Sequence, residues 1–144
     1  MHARSFVTVR YAETDQMGVV HHTAYPVWFE IGRTDFIKLF NVSYSQMEQA
    51  GVMIPLRNLS CHYSLPAKYE DRLIVRTWCT NISAARIDFS YSVKRIEKDG
   101  SETELCYGGT EHGFVDAKSF RPCSIKKRMP KLYEELHKNV KEIE

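Results

Sequence analysis

The sequence predicts an α+β fold, with one long apolar helix laid against an antiparallel sheet. Three observations predict it. Large apolar side chains recur at helical spacing from about Ala24 to Phe40. From Leu59 onward the period changes to two. The order is strand, long helix, then four strands joined mostly as a meander.

The first strand is expected over Ser5 to Tyr11, with Val7, Val9 and Tyr11 facing one way and Thr8 and Arg10 the other. A polar loop from Glu13 to His22 follows, and its Gly18 permits unusual backbone angles. On the helix, Tyr25, Trp28, Phe29, Gly32, Phe36, Leu39 and Phe40 share one stripe; Glu30, Arg33, Asp35 and Lys38 lie opposite. Thr23 suits the N-cap, Pro26 the first turn, and Asn41 the stop. Gly32 lets the helix approach the sheet closely. A short second helix is expected over Ser43 to Ala50, with Ser45 and Glu48 at capping-box spacing and Gly51 as terminator.

Strands then run from Leu59 to Leu65, Leu73 to Thr80, Arg86 to Ile96 and Thr103 to Val115. Pro66 ends the first of these, and Asp99-Gly100 signals a hairpin turn. Gly108-Gly109 suggests a bulge, or a close approach by another chain or a ligand. The tail begins irregularly at Arg121-Pro122 and ends in a helix from Pro130, with Leu132, Leu136 and Val140 on one face.

Length and composition narrow the function classes. One domain, residues 1–144, is expected from 144 residues. A formal charge of +2 indicates no strong nucleic-acid field, and no apolar run reaches membrane-span length. The N-terminus carries no apolar signal-peptide core, so a cytoplasmic protein is expected. Cys61, Cys79, Cys106 and Cys123 form no C-x-x-C pair and read as buried thiols.

The chemistry concentrates between Arg10 and Tyr25. Asp15 is the last carboxylate before Val19-Val20 and the helix start. It can attack a carbonyl or take a proton from water, or it can simply cap a turn. His21 and His22 stand at the helix entrance, where unpaired backbone N–H groups can hold an oxyanion. Adjacent histidines at a helix start diverge, so no metal is expected. Glu13, two residues before Asp15, can pair with it in acid–base work or remain a solvated loop residue. Arg86, Arg121, Lys126, Lys127 and Arg128 can hold phosphates of a large anion or form a solvated basic surface. The tail lacks the aromatic interleaving of a nucleic-acid binder.

The stretch from Tyr11-Ala12-Glu13-Thr14-Asp15 through Val19-Val20-His21-His22-Thr23-Ala24-Tyr25 to Trp28-Phe29-Glu30 resembles the signature of hotdog-fold acyl-CoA thioesterases. The subgroup is that of 4-hydroxybenzoyl-CoA thioesterase and the YbgC proteins. The similarity continues through Arg33-Thr34, the strands and Arg121-Pro122. The resemblance implies a hotdog fold, one long central helix wrapped by a five- to six-stranded antiparallel sheet. Asp15 would be the nucleophile or general base. The His22 backbone N–H would bind the thioester oxygen, and Tyr25, Arg86 and Arg121 would contact substrate. The substrate would be an acyl-CoA or acyl carrier protein thioester, with no separate cofactor. The assembly would be a homodimer joined edge to edge, with dimers pairing into tetramers. His22 stands where the 4-hydroxybenzoyl enzyme has an aromatic residue, in agreement with the YbgC branch, and Gln16-Met17 replaces the small pair common before the glycine. A hotdog dehydratase, a non-catalytic acyl-thioester binder and a basic interaction module are the other classes.

Overall fold

The computed structural model describes residues 1–143, with side chains through residue 140. In chain order its elements are β1 (Ala3–Thr8), a 3-10 turn at Tyr11–Glu13, α1 (Ala24–Lys38), α2 (Tyr44–Gln49), β2 (Val52–Met53), β3 (Leu56–Tyr63), β4 (Arg72–Ile82), β5 (Arg86–Ile96), β6 (Glu102–Gly113), β7 (Val115–Asp116), α3 (Ile125–Arg128) and α4 (Pro130–Ile143). Five strands form one sheet in the order β1-β4-β5-β6-β3, antiparallel throughout. β2 and β7 make a separate two-stranded piece.

α1 lies across β1, β4 and β5 and buries Tyr25, Trp28, Phe29, Gly32, Phe36 and Ile37. Phe29 stacks on Tyr91 of β5 with ring centroids 4.2 Å apart, and Phe36 meets Phe89 edge-on at 5.6 Å. Each such fully buried apolar side chain stabilises the fold by ~1.5–3 kcal/mol relative to exposure. Gly32 permits this approach: a Cβ there would collide with the Thr77 hydroxyl and come within 3.3 Å of Val75. On β5, Ile87, Phe89, Tyr91 and Val93 are all buried against this layer, as their alternation predicts.

α1 shares the sheet with the tail helix expected from Pro130: α4, 14 residues against 15, also packs on β4 and buries Leu132 and Leu136. Several expectations are corrected. β1 ends at Thr8, and Tyr11 is 76% exposed instead of sharing a face with Val9. The chain leaves the strand because Arg10 is extended while the Glu13 N–H bonds back to the Arg10 carbonyl (3.0 Å), which winds the 3-10 turn. Thr23 has helical angles and gives α1 no side-chain cap, since its hydroxyl is engaged by His21 Nδ1 at 2.8 Å. In α2 the capping box uses Ser43 and Gln46, not Ser45 and Glu48.

Asn41 (φ 59°) and Gly51 (φ 88°) follow the two helices with left-handed backbones, as helix ends favour. Gly108 marks no bulge. Its pairing with Cys61 and Tyr91 is regular, and a Cβ there would strike the Ser60 carbonyl and the Phe29 ring. All four cysteines are free; Cys79 and Cys106 are buried, Cys61 and Cys123 half-buried.

Candidate active site

The loop before α1 is a narrow hairpin. Thr14 and Val20 bridge antiparallel, the Asp15 N–H donates to the Val19 carbonyl (2.9 Å), and Gly18 turns the chain at φ 79°. Asp15 sits half-buried at its base. Its Oδ1 accepts the Met17 N–H at 2.8 Å, while Oδ2 has no hydrogen-bond partner among the described residues. The loop is tied to the body by the Val20 N–H, which donates to the Ala67 carbonyl at 2.8 Å.

From Val20 the chain passes through His21, His22 and Thr23 into α1. The His21 N–H donates to the Glu13 carbonyl (2.8 Å), the Thr23 N–H to His21 Nδ1 (3.3 Å) and the Ala24 N–H to the His21 carbonyl (3.0 Å). The His22 N–H has no acceptor among the described residues. It therefore stands open beside the positive end of a 15-residue helix. The His22 carbonyl accepts the Tyr63 hydroxyl from β3 at 3.0 Å. The two imidazoles lie against one another, centroids 4.1 Å apart.

Glu13 is a structural anchor. Its Oε2 accepts the Trp28 indole N–H (2.9 Å) and its Oε1 the Arg10 N–H (2.8 Å), so both oxygens are occupied. A cleft of ≈ 300 Å³ opens beside it, lined by Arg10, Glu13, Thr14, His21, Thr23 and Val27; Asp15 does not line it. Tyr25 is 2% exposed, with its ring edge-on to Trp28 (4.8 Å) and Tyr63 (5.1 Å); burial pushes its phenol up to about 12.

Arg86 and Arg121 are exposed and lie toward the other end of the sheet. Arg86 pairs with Gly113 on β6, whereas Tyr63 pairs with Cys106 on the same strand. That separation along β6 is roughly 23 Å at ~3.3 Å per residue. The Arg121 carbonyl accepts the Asp116 N–H at 2.8 Å, near the turn where the Phe114 N–H meets the Ala85 carbonyl. The two arginines thus share one end of the molecule, apart from Asp15, His22 and Tyr25. Among the described residues no cluster of three or more His, Cys, Asp or Glu is placed to hold a metal, and no helix is long and apolar enough to cross a membrane. Sequence reasoning missed Tyr63, because no spacing rule connects a strand end with a helix start 41 residues away.

Residues 9–136 match the profile of the thioesterase-like superfamily. The chain is 36% identical over 124 residues to "Putative acyl-CoA thioesterase YneP" of Bacillus subtilis, covering 86% of this chain and 87% of that one. It is 28% identical over 91 residues to the acyl-CoA thioester hydrolase YbgC of Escherichia coli O157:H7, covering 63% and 68%. Among solved structures, a DHNA-CoA thioesterase from Staphylococcus aureus superposes with a TM-score of 0.87 at 29% identity, over 99% of this chain and 92% of that one. A match over this span, joined to the helix-and-sheet arrangement above, means that the chain belongs to the thioesterase-like superfamily and is built on its hotdog fold.

Proposed function

We propose that this protein hydrolyses acyl-CoA thioesters, with Asp15 as nucleophile or general base and the His22 N–H as the oxyanion donor. The observation that supports the reading is that one loop carries two open groups, a carboxylate oxygen and a helix-entry N–H, both without partners among the described residues. A thioester carbonyl is already electrophilic, so a base or nucleophile and a charge-stabilising donor are the main requirements. Water attacks the carbonyl with Asp15 taking its proton, or Asp15 attacks first and water cleaves the resulting anhydride. Either way negative charge develops on the carbonyl oxygen, which the His22 N–H and the helix dipole stabilise. The C–S bond breaks and the sulfur leaves as coenzyme A thiolate, which takes its proton from Asp15 in the first route and from water in the second.

Tyr25, already packed beneath the turn, shapes the floor of the acyl site in this reading. Arg86 and Arg121 serve the nucleotide phosphates in this reading. The active assembly is a homodimer or a pair of dimers, with no separate cofactor, and it works in the cytoplasm. The acyl-CoA names of the YneP and YbgC relatives support the substrate class. An Arabidopsis thaliana relative, 26% identical over 61% of this chain, is named an acyl-acyl carrier protein thioesterase, so both carriers belong in the test.

The purified protein is assayed for thiol release across short, medium, long and aromatic acyl thioesters on both carriers. Turnover is expected on at least one, and Asp15→Asn is expected to lower kcat at least ~100-fold without unfolding the chain. Inactivity on the whole panel, or full turnover by Asp15→Asn, would refute the reading. Charge removal at Arg86 and Arg121 should raise KM for acyl-CoA and leave a truncated pantetheine thioester unaffected.

A further inference from the structure

The turn at the start of α1 is held from both sides. On one side the Glu13 carbonyl takes the His21 N–H at 2.8 Å, and the Glu13 side chain takes the Trp28 indole at 2.9 Å. On the other side the Tyr63 hydroxyl donates to the His22 carbonyl at 3.0 Å. The two sides are joined by ring contacts, Trp28 on Tyr25 at 4.8 Å and Tyr25 on Tyr63 at 5.1 Å. A closed circuit of packed and hydrogen-bonded groups therefore surrounds the His21–Thr23 turn, and the His22 N–H is the backbone donor it leaves open.

We propose that Tyr63 is a positioning residue for hydrolysis: its hydroxyl, bonded to the His22 carbonyl, fixes the orientation of the residue whose N–H receives the developing oxyanion. This inference rests on the assignment of His22 in the preceding section. The geometry supports it on three counts. Tyr63 is the last residue of β3, and that strand end is fixed by the Ser64 N–H on the Leu105 carbonyl at 2.8 Å. The ring of Tyr63 is set by Tyr25, so the hydroxyl is aimed and not free to wander. A phenol is protonated below about pH 10, so the Tyr63 hydroxyl is a donor across working pH. A preorganised donor is worth more than one that must reorient as charge develops.

The test is Tyr63→Phe, which keeps the ring against Tyr25 and removes only the hydroxyl. On an acyl thioester that the wild type hydrolyses, kcat is expected to fall about 10-fold, the value of a typical net hydrogen bond. KM should stay near wild type, and the midpoint of thermal unfolding should fall by no more than about 5 °C, the loss of one hydrogen bond. A kcat within twofold of wild type, in a preparation where Asp15→Asn is inactive, would overturn the proposal. The holding contact is read independently of turnover by amide hydrogen exchange over residues 21–24. Tyr63→Phe should speed exchange there about 10-fold, and unchanged exchange would also overturn it. An inactive wild type with faster exchange in the variant would place the failure on the hydrolytic reading and leave the clamp standing.

Discussion

His112 shows how one residue can set the acid limit of the fold. It is 1% exposed. Its Nδ1 lies 3.2 Å from the Ile54 carbonyl and its Nε2 2.8 Å from the Thr110 hydroxyl, which in turn meets the Tyr91 hydroxyl at 2.6 Å. Burial, reinforced by the Arg33 charge, lowers its pKa from 6.5 to about 4. The unfolded chain therefore takes up a proton near pH 6.5 that the folded chain refuses until about pH 4. Its contribution is fully present above pH 6.5 and is lost as the pH falls toward 4, on the order of 3 kcal/mol in all. Urea unfolding between pH 4 and pH 7.5 should show this slope. His112→Gln, which does not titrate, should flatten it. Glu13 teaches a different lesson at this scale. Its spacing from Asp15 suggests paired acid chemistry, yet the Trp28 indole and the Arg10 N–H occupy both its oxygens. No spacing rule reveals a partner 15 residues away on another element.

Elements were legible where a period is long and its punctuation local. The 24–38 helix, the 86–96 strand and the Gly51 and Gly100 turns all follow from side-chain period and backbone preference. Capping was less legible, because Thr23 and Ser45 have suitable hydroxyls but tertiary partners and local angles decide which one is used. Gly108-Gly109 reads in sequence as a bulge, or a close approach by another chain or a ligand; the pairing at Gly108 is regular, and its close neighbour within this chain is Phe29 of α1, which presses on it while Ser60 pairs alongside. Gly108→Ala places its methyl against a backbone carbonyl that cannot rotate away. It is expected to cost about 3 kcal/mol, read as a lower urea midpoint. A stability equal to wild type would mean that β3 can shift outward at little cost.

For the whole molecule, the sheet ends in two open edges, β1 and β3. β3 carries exposed Leu56 and Tyr63 on a strand paired on one side only, and unpaired strand edges favour association. Sedimentation equilibrium should give a mass at two or four times 16.8 kDa; a single-chain mass at micromolar concentration would remove the dimeric assembly from the proposal. The fold class was legible from the order of periods, because one apolar helix followed by a meander has few ways to bury both faces. The shared load of α1 and α4 was not, since an amphipathic tail helix does not disclose which strand it will cover.

That division of the core has a consequence for synthesis. β1 precedes the other elements yet, among the described residues, finds its only neighbour in the sheet in β4, and β4 in turn takes α4, whose Leu136 is 1% exposed. The ribosome must therefore deliver β4, somewhat past the midpoint of these residues, before β1 can dock in the sheet, and α4 before the interior is sealed. Folding of this chain is consequently dominated by non-local contacts and completes late, so a polypeptide stopped short of Leu132 would present an unsealed apolar layer to the cell's quality-control machinery.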